Sequence, residues 1–279
     1  MTPAKIAEIA RQFGASGKPK RLSGGQEQSW KAATKTGGIV VKPASHPGEA
    51  YWAGQIFSEA KFAQGVRVPQ PIATATGDWI EQDYVAWTWI EGRSMSGGYM
   101  QKIAAARAFH AELKSLSCPE FMERRCDPWA MADRVAWGQR AADYDANSMA
   151  ALAPILDMIA ETPLPSDCKD QVIHGDLSGN YVFAEGRTPG IIDITPYWRP
   201  EGFAEAVIWV DAIWFPDRAL PEHFDRPGMR AYVLRALARR IAEQPEQVKA
   251  GMKSVDEAAQ CVNTLRSSTD ALLEPWGSR

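Results

Sequence analysis

The segment His174-Gly175-Asp176-Leu177-Ser178-Gly179-Asn180, followed by the run Gly190-Ile191-Ile192-Asp193-Ile194, constrains this chain more than any other feature. Strand-like Val172-Ile173 leads into it, and Tyr181 to Ala184 with Gly190 to Ile194 read as a small hairpin behind it, so a turn bearing Asp176 and Asn180 is expected between short strands. Two acids and an amide in this order suit phosphoryl transfer. Asp176 can accept a proton from a hydroxyl, while Asn180 and Asp193 offer the hard oxygen ligands that Mg²⁺ prefers when it bridges nucleotide phosphates. Asp193 is flanked by Ile191, Ile192 and Ile194, and an acid embedded in an apolar strand is costly unless it pairs or binds a metal. The competing reading is a plain connection whose Asp and Asn side chains bond their own backbone.

A chain of 279 residues exceeds the usual single-domain size, which implies one large domain or two lobes sharing a cleft. Hydrophobic residues at 45% against 23% charged place it among globular proteins, away from the disordered regime. The net charge of -3 and the lack of a long Lys/Arg block give no electrostatic reason to expect a nucleic acid partner. No apolar run reaches the roughly 18 to 20 residues that span a bilayer, and Met1 to Phe13 reads as an amphipathic helix rather than an export signal, so a cytoplasmic protein with no membrane partner is expected. Cys118, Cys126, Cys168 and Cys261 are widely spaced without a CxxC pair, which argues against zinc and against a disulfide framework.

Pattern divides the chain near Gly92. A first helix runs from Thr2 or Pro3 to Gly14. Arg21-Leu22, Ser29 to Ala33 and Gly38 to Lys42 read as strands, the last two joined at Lys35-Thr36-Gly37. Glu49 to Phe62 has helical spacing, ended by Gly65 and Pro69. Strand candidates follow at Ile72 to Ala75 and Trp79 to Ile90. Beyond Gly97-Gly98 the chain turns helical, apart from the strands around the opening motif, and stays so from Ala204 onward. The expected organisation is residues 1–92 as a β-rich lobe and 93–279 as a helical lobe.

His174, Gly175, Asp176, Leu177, Gly179 and Asn180, in this order of elements, resemble the catalytic loop of the aminoglycoside phosphotransferase family, the branch of the protein-kinase-like fold that includes choline kinase and other small-molecule kinases. The resemblance covers roughly Leu22 to Asp211. It implies an α+β, protein-kinase-like bilobal fold with an antiparallel-sheet N-lobe and a mainly helical C-lobe, using ATP and Mg²⁺. Asp176 would be the catalytic base, and Asn180 and Asp193 the metal ligands. The family usually places the Asn five residues after the Asp, so this loop is one residue short; Ser178 and flexible Gly179 are expected to tighten the turn. Thr195 and Pro196 stand where a further acid or glycine is frequent, so two metals are not assumed.

By the same resemblance, Gly24 and Gly25, with Gln26 to Ser29, form the nucleotide-positioning loop, where backbone amides approach phosphates. Lys42 would contact the phosphates, held by Glu49 or alternatively Glu59. Trp89 and Ile90, within Trp87 to Gly92, would offer hinge backbone groups to adenine. Asp211 would brace the catalytic loop, through His174, and the alternative is a helix N-cap. A tight hairpin, an exposed lysine and core tryptophans are the corresponding structural readings. His110 is expected to be structural. The function implied is transfer of the γ-phosphoryl group to a hydroxyl of an aminoglycoside, sugar or amino alcohol. The absence of an Ala-Pro-Glu segment argues against a protein acceptor. The alternatives are a catalytically weak kinase-like nucleotide or metabolite binder and, more remotely, a plain scaffold.

Overall fold

The structure is a computed structural model that describes residues 2–22, 29–60, 62, 65–95, 97–214 and 228–276. It divides into two compact units, one of Met1–Arg93, Pro119–Phe121 and Val182–Ile192, the other of Ser94–Cys118, Met122–Tyr181 and Asp193–Arg279.

In the first unit, α1 (Pro3–Gln12) starts with Thr2 accepting the Lys5 N–H and with proline in the first turn. Strands β1 (Lys20–Arg21), β2 (Trp30–Thr34) and β3 (Gly37–Pro43) precede α2 (Pro47–Glu59), and β4 (Pro71–Ile72) and β5 (Tyr84–Thr88) complete an antiparallel sheet of order β1-β2-β3-β5-β4. The two-residue period sends Trp30 and Ala32, Ile39 and Val41, and Tyr84 and Ala86 into a single core with Ile6, Ile9, Ala10 and Phe13 of α1. Trp87 meets Phe57 of α2 with ring centroids 6.0 Å apart.

Two elements differ from the sequence expectation. Helix α2 begins at Pro47, where His46 Nδ1 accepts the Gly48 N–H at 3.1 Å, and it ends at Glu59 because Ala60 is already extended. The long strand expected from Trp79 to Ile90 shrinks to Tyr84–Thr88. Gln82 and Asp83 adopt left-handed backbone with φ of 49° and 64°, a turn that breaks the alternation.

The second unit contains α3 (Tyr99–Leu113), all but the first residue of the short α4 (Phe121–Arg124), α5 (Pro128–Ala136), α6 (Ala146–Glu161) and strand β6 (Asp170–His174). The chain then forms the small pair β7 (Tyr181–Val182) and β8 (Gly190–Ile191), whose hairpin Val182–Ile192 belongs to the first unit. It returns as β9 (Pro196–Pro200), which pairs antiparallel with β6, and ends with α7 (Glu201–Asp211), α8 (Met229–Lys249) and α9 (Val255–Leu273). Helix α8 is the core of this unit, touching α5, α6, α7 and α9, with nearly every residue from Met229 to Gln247 buried. Among the described residues no helix is long and apolar enough to cross a membrane. All four cysteines are free thiols.

Gly54 of α2 lies where an added Cβ would stand 2.4 Å from the Trp79 ring. Gly54→Ala should destabilise the protein by about 1–3 kcal/mol, since a rigid indole cannot yield that distance cheaply. Urea denaturation would measure the shift.

Candidate functional site

Strand β6 delivers the loop. His174 pairs with Pro196 of β9, and the Gly175 N–H donates to Thr195 O at 2.9 Å. Gly175 has no room for a side chain, because a Cβ would stand 2.2 Å from the Tyr197 ring. The fully buried His174 donates its backbone N–H to Nε2 of His110 on α3 at 3.1 Å, and its own Nδ1 accepts the Asp176 N–H at 3.2 Å. Asn180 N–H closes a tight turn on Leu177 O at 2.9 Å. The Asn180 amide Nδ2 donates to Asp176 O at 2.6 Å. Asn180 therefore does bond its own loop, as the competing reading supposed, yet this orients the amide and leaves Oδ1 as the acceptor suited to a cation.

Electrostatics concentrate behind Asp176. Arg240 of α8 donates to Asp176 Oδ1 at 2.8 Å, to Asp211 Oδ1 at 2.7 Å and Oδ2 at 2.5 Å, and to Glu243 Oε1 and Oε2 at 3.0 and 2.9 Å. Arg239 binds Glu243 at 2.9 Å and Gly175 O at 2.7 Å, and its guanidinium lies 4.4 Å from the Tyr197 ring centroid. Burial opposes ionisation of the Asp176 carboxyl, but the charge and hydrogen bond of Arg240, with Arg239 and His174 adding to them, hold its pKa below the usual carboxylate value. Burial likewise opposes the Arg240 charge, and Asp211, Glu243 and Asp176 overcome it, raising its pKa well above normal. About half of the Asp176 side chain, 48%, remains exposed.

Asp211 ends α7, so it is not an N-cap. It reaches the loop through Arg240 and through the Ser178 hydroxyl, which donates to Asp211 Oδ2 at 2.6 Å, rather than through His174. Lys102 of α3, buried with a pKa lowered by that burial, donates to Ser178 O at 3.3 Å.

Asp193 corrects an expectation. Strand β8 ends at Ile191, and Asp193 is exposed with φ 52°, while Thr195 Oγ1 donates to its carbonyl at 3.1 Å. The argument from burial of a lone acid therefore does not apply. A left-handed non-glycine residue instead carries backbone strain of about 1–3 kcal/mol, a kind that concentrates at functional sites. Among the described residues no three His, Cys, Asp or Glu side chains form a metal-binding cluster. Mg²⁺ commonly uses one or two protein oxygens and completes its shell with phosphates and water, so a site for it need not contain such a cluster.

In the first unit, Lys42 lies on β3 and Glu49 in the first turn of α2, both half-buried, while Glu59 is exposed at the end of α2, about 15 Å from Glu49 along the axis. Gly24 and Gly25 lie outside the described residues. Ser29 is half-buried, its carbonyl accepting the Leu22 N–H at 2.9 Å. Trp89 N–H is committed to Gly38 O at 2.8 Å, and Lys31 Nζ lies 3.7 Å from the Trp89 ring centroid. Among the described residues no hydrogen bond engages the Ile90 backbone. Arg67 was not anticipated. Its guanidinium holds Glu91 O at 2.8 Å and Thr188 O at 2.7 Å, and its backbone pairs with Pro189 and Ile191, so it ties the segment at Glu91 to the hairpin Val182–Ile192.

The sequence reading also missed Arg240, Arg239 and the anchoring role of Ser178. A signal existed: between Met229 and Ala242 apolar residues occupy every face of the helical pattern, so α8 had to be buried all round and its arginines had to find carboxylates.

Residues 18–195 match the family model described as the phosphotransferase enzyme family. No curated protein sequence matches the chain. Among solved structures, the microcompartment-associated aminopropanol kinase aligns with a TM-score of 0.68 at 12% identity, over 99% of each chain. The amicoumacin kinase hAmiN, in complex with AMP-PNP, Ca²⁺ and Ami, aligns with a TM-score of 0.62 at 13% identity, over 97% of this chain and 94% of that one. Spectinomycin phosphotransferase APH(9)-Ia, in complex with ADP and spectinomycin, aligns with a TM-score of 0.59 at 12% identity, over 98% of both. At these identities the likeness is one of fold, and it is the protein-kinase-like α+β fold expected from the sequence.

Gly175→Ala tests the packing beneath the loop. The added methyl must displace Tyr197, which is buried beside Arg125 and Arg239, with a stability loss of about 1–3 kcal/mol in chemical denaturation.

Proposed function

The chain belongs to the phosphotransferase enzyme family, and from that premise we propose that it is a kinase that uses ATP and Mg²⁺ to move the γ-phosphoryl group to a hydroxyl of a small molecule. The observation that carries this reading is Asp176: one oxygen is held by Arg240, and half of the side chain stays open to an acceptor. A carboxylate so fixed can orient a hydroxyl and accept its proton as the O–P bond forms, while positioning supplies most of the rate. The depressed pKa keeps it ionised before the acceptor arrives. Asn180 Oδ1 and Asp193 would hold Mg²⁺, whose contribution when bound is to neutralise charge on the phosphates. Lys42, steadied by Glu49, and the backbone of Gly24, Gly25 and Ser29 would hold the phosphates, and the backbone around Trp89 and Ile90 would receive adenine. Ile90 is the better hinge partner, since the Trp89 N–H is already bonded.

The acceptor class is a sugar, amino alcohol or aminoglycoside-like molecule. The aligned proteins include an aminopropanol kinase and a spectinomycin phosphotransferase, which supports a small polyol or amino alcohol. No nucleic acid partner is proposed, and the cytoplasm, where Mg-ATP is supplied, is the proposed compartment. The shortened loop favours one alternative, a catalytically weak nucleotide or metabolite binder.

Acceptor-dependent ADP release across a panel of sugars, amino alcohols and aminoglycosides separates the two. Turnover is expected, and Asp176→Asn should lower it by about 10²–10⁴-fold while Mg-ATP binding persists. Mg-ATP binding without turnover on any acceptor would favour the binder. Asp193→Asn should raise the Mg²⁺ concentration needed for half-maximal rate.

A further inference from the structure

Arg240 lies outside the segment matched to the family, yet among the described residues it is the side chain that touches Asp176 Oδ1 and Asp211 together. A guanidinium has five N–H donors in a planar fork. In Arg240 they make five contacts, one from Nε to Asp211, two from one terminal nitrogen to Glu243, and one each from the other to Asp176 and Asp211. All three guanidinium nitrogens are thus engaged with carboxylates, so Arg240 acts through them. The same Asp211 oxygen that meets Arg240 also receives the Ser178 hydroxyl, which ties the middle of the loop to the same cluster.

We propose that Arg240 is a positioning residue: it clamps a catalytic loop that is one residue short, through Asp176 directly and through Asp211 to Ser178, and so leaves Asp176 a single oxygen for the acceptor hydroxyl. Its catalytic meaning rests on the kinase reading above. The fixing of the loop does not. A lysine cannot substitute, since an ammonium carries its three donors on one atom and cannot reproduce contacts made from three separate nitrogens of the guanidinium. Without the clamp, Asp176 would rotate among rotamers and the turn at Ser178 would open.

The test uses the full chain, with two readouts on Arg240→Lys and Ser178→Ala. In Mg-ATP turnover with the best acceptor of the panel, Arg240→Lys should lower kcat about 10²-fold with KM for Mg-ATP changed less than about twofold, and Ser178→Ala should lower kcat about fivefold. In hydrogen exchange without nucleotide, amides 175–180 should exchange about tenfold faster in Arg240→Lys, with α3 and α9 unchanged. Wild-type kcat and wild-type loop protection in Arg240→Lys would overturn the proposal. So would faster exchange spread over the whole of α8 with kcat per folded molecule unaltered, which marks a purely structural arginine. If Arg240→Lys does not fold, Ser178→Ala decides by the same two readouts. A wild type without turnover on any acceptor removes the kinase reading, and loop exchange alone then judges the clamp.

Discussion

A guanidinium removed from water on every side has to be matched by carboxylates, and the second unit is built around that requirement. Helix α8 is surrounded by α5, α6, α7 and α9, so Arg239, Arg240 and Glu243 have no solvent to turn to. Partners that close such a cluster need excellent geometry, because desolvation otherwise outweighs attraction. Here the third carboxylate is Asp176. The same demand that keeps α8 satisfied thus positions the Asp176 carboxylate, which couples the packing of the helical core to the geometry of the loop.

The first unit solves a related problem with one arginine. Arg67 holds the Glu91 carbonyl and the Thr188 carbonyl of the hairpin, and its backbone continues the pairing at Pro189 and Ile191. Carbonyls that leave a sheet edge require donors, and a forked side chain supplies two of them at once. The segment at Glu91 is therefore stiffened from its side, while the Ile90 backbone is left unengaged among the described residues.

Much of this was legible locally. Helix α1 follows from Ile6, Ile9 and Phe13 on one stripe with Pro3 at the start, and the paired strands β2 and β3 from alternation around Thr36-Gly37. Errors arose where a local pattern was overridden by backbone conformation. The alternation from Trp79 to Ile90 is interrupted by two left-handed residues, and Asp193 leaves the strand that its isoleucine neighbours suggested. The clamp was illegible for another reason. Of the partners of Arg240, only Glu243 is close in sequence; Asp211 comes to it through the packing of α7 against the buried helix, and Asp176 through the loop that follows β6, a strand packed on α7. A motif records which groups the chemistry needs and says nothing of what holds them.

That distinction explains how the loop works with a residue missing. Glycine freedom at Gly179 is not the device, since its backbone is not left-handed and a Cβ there would meet open space. The turn is instead fixed by bonds: Asn180 N–H to Leu177 O, and Asn180 Nδ2 to Asp176 O. A four-residue turn places its second residue outward, and that residue is Ser178, whose hydroxyl meets Asp211 while its carbonyl meets Lys102. The tight turn and the Asp211–Arg240 anchor therefore hold the same residue, one through the backbone around it and the other through the Ser178 hydroxyl.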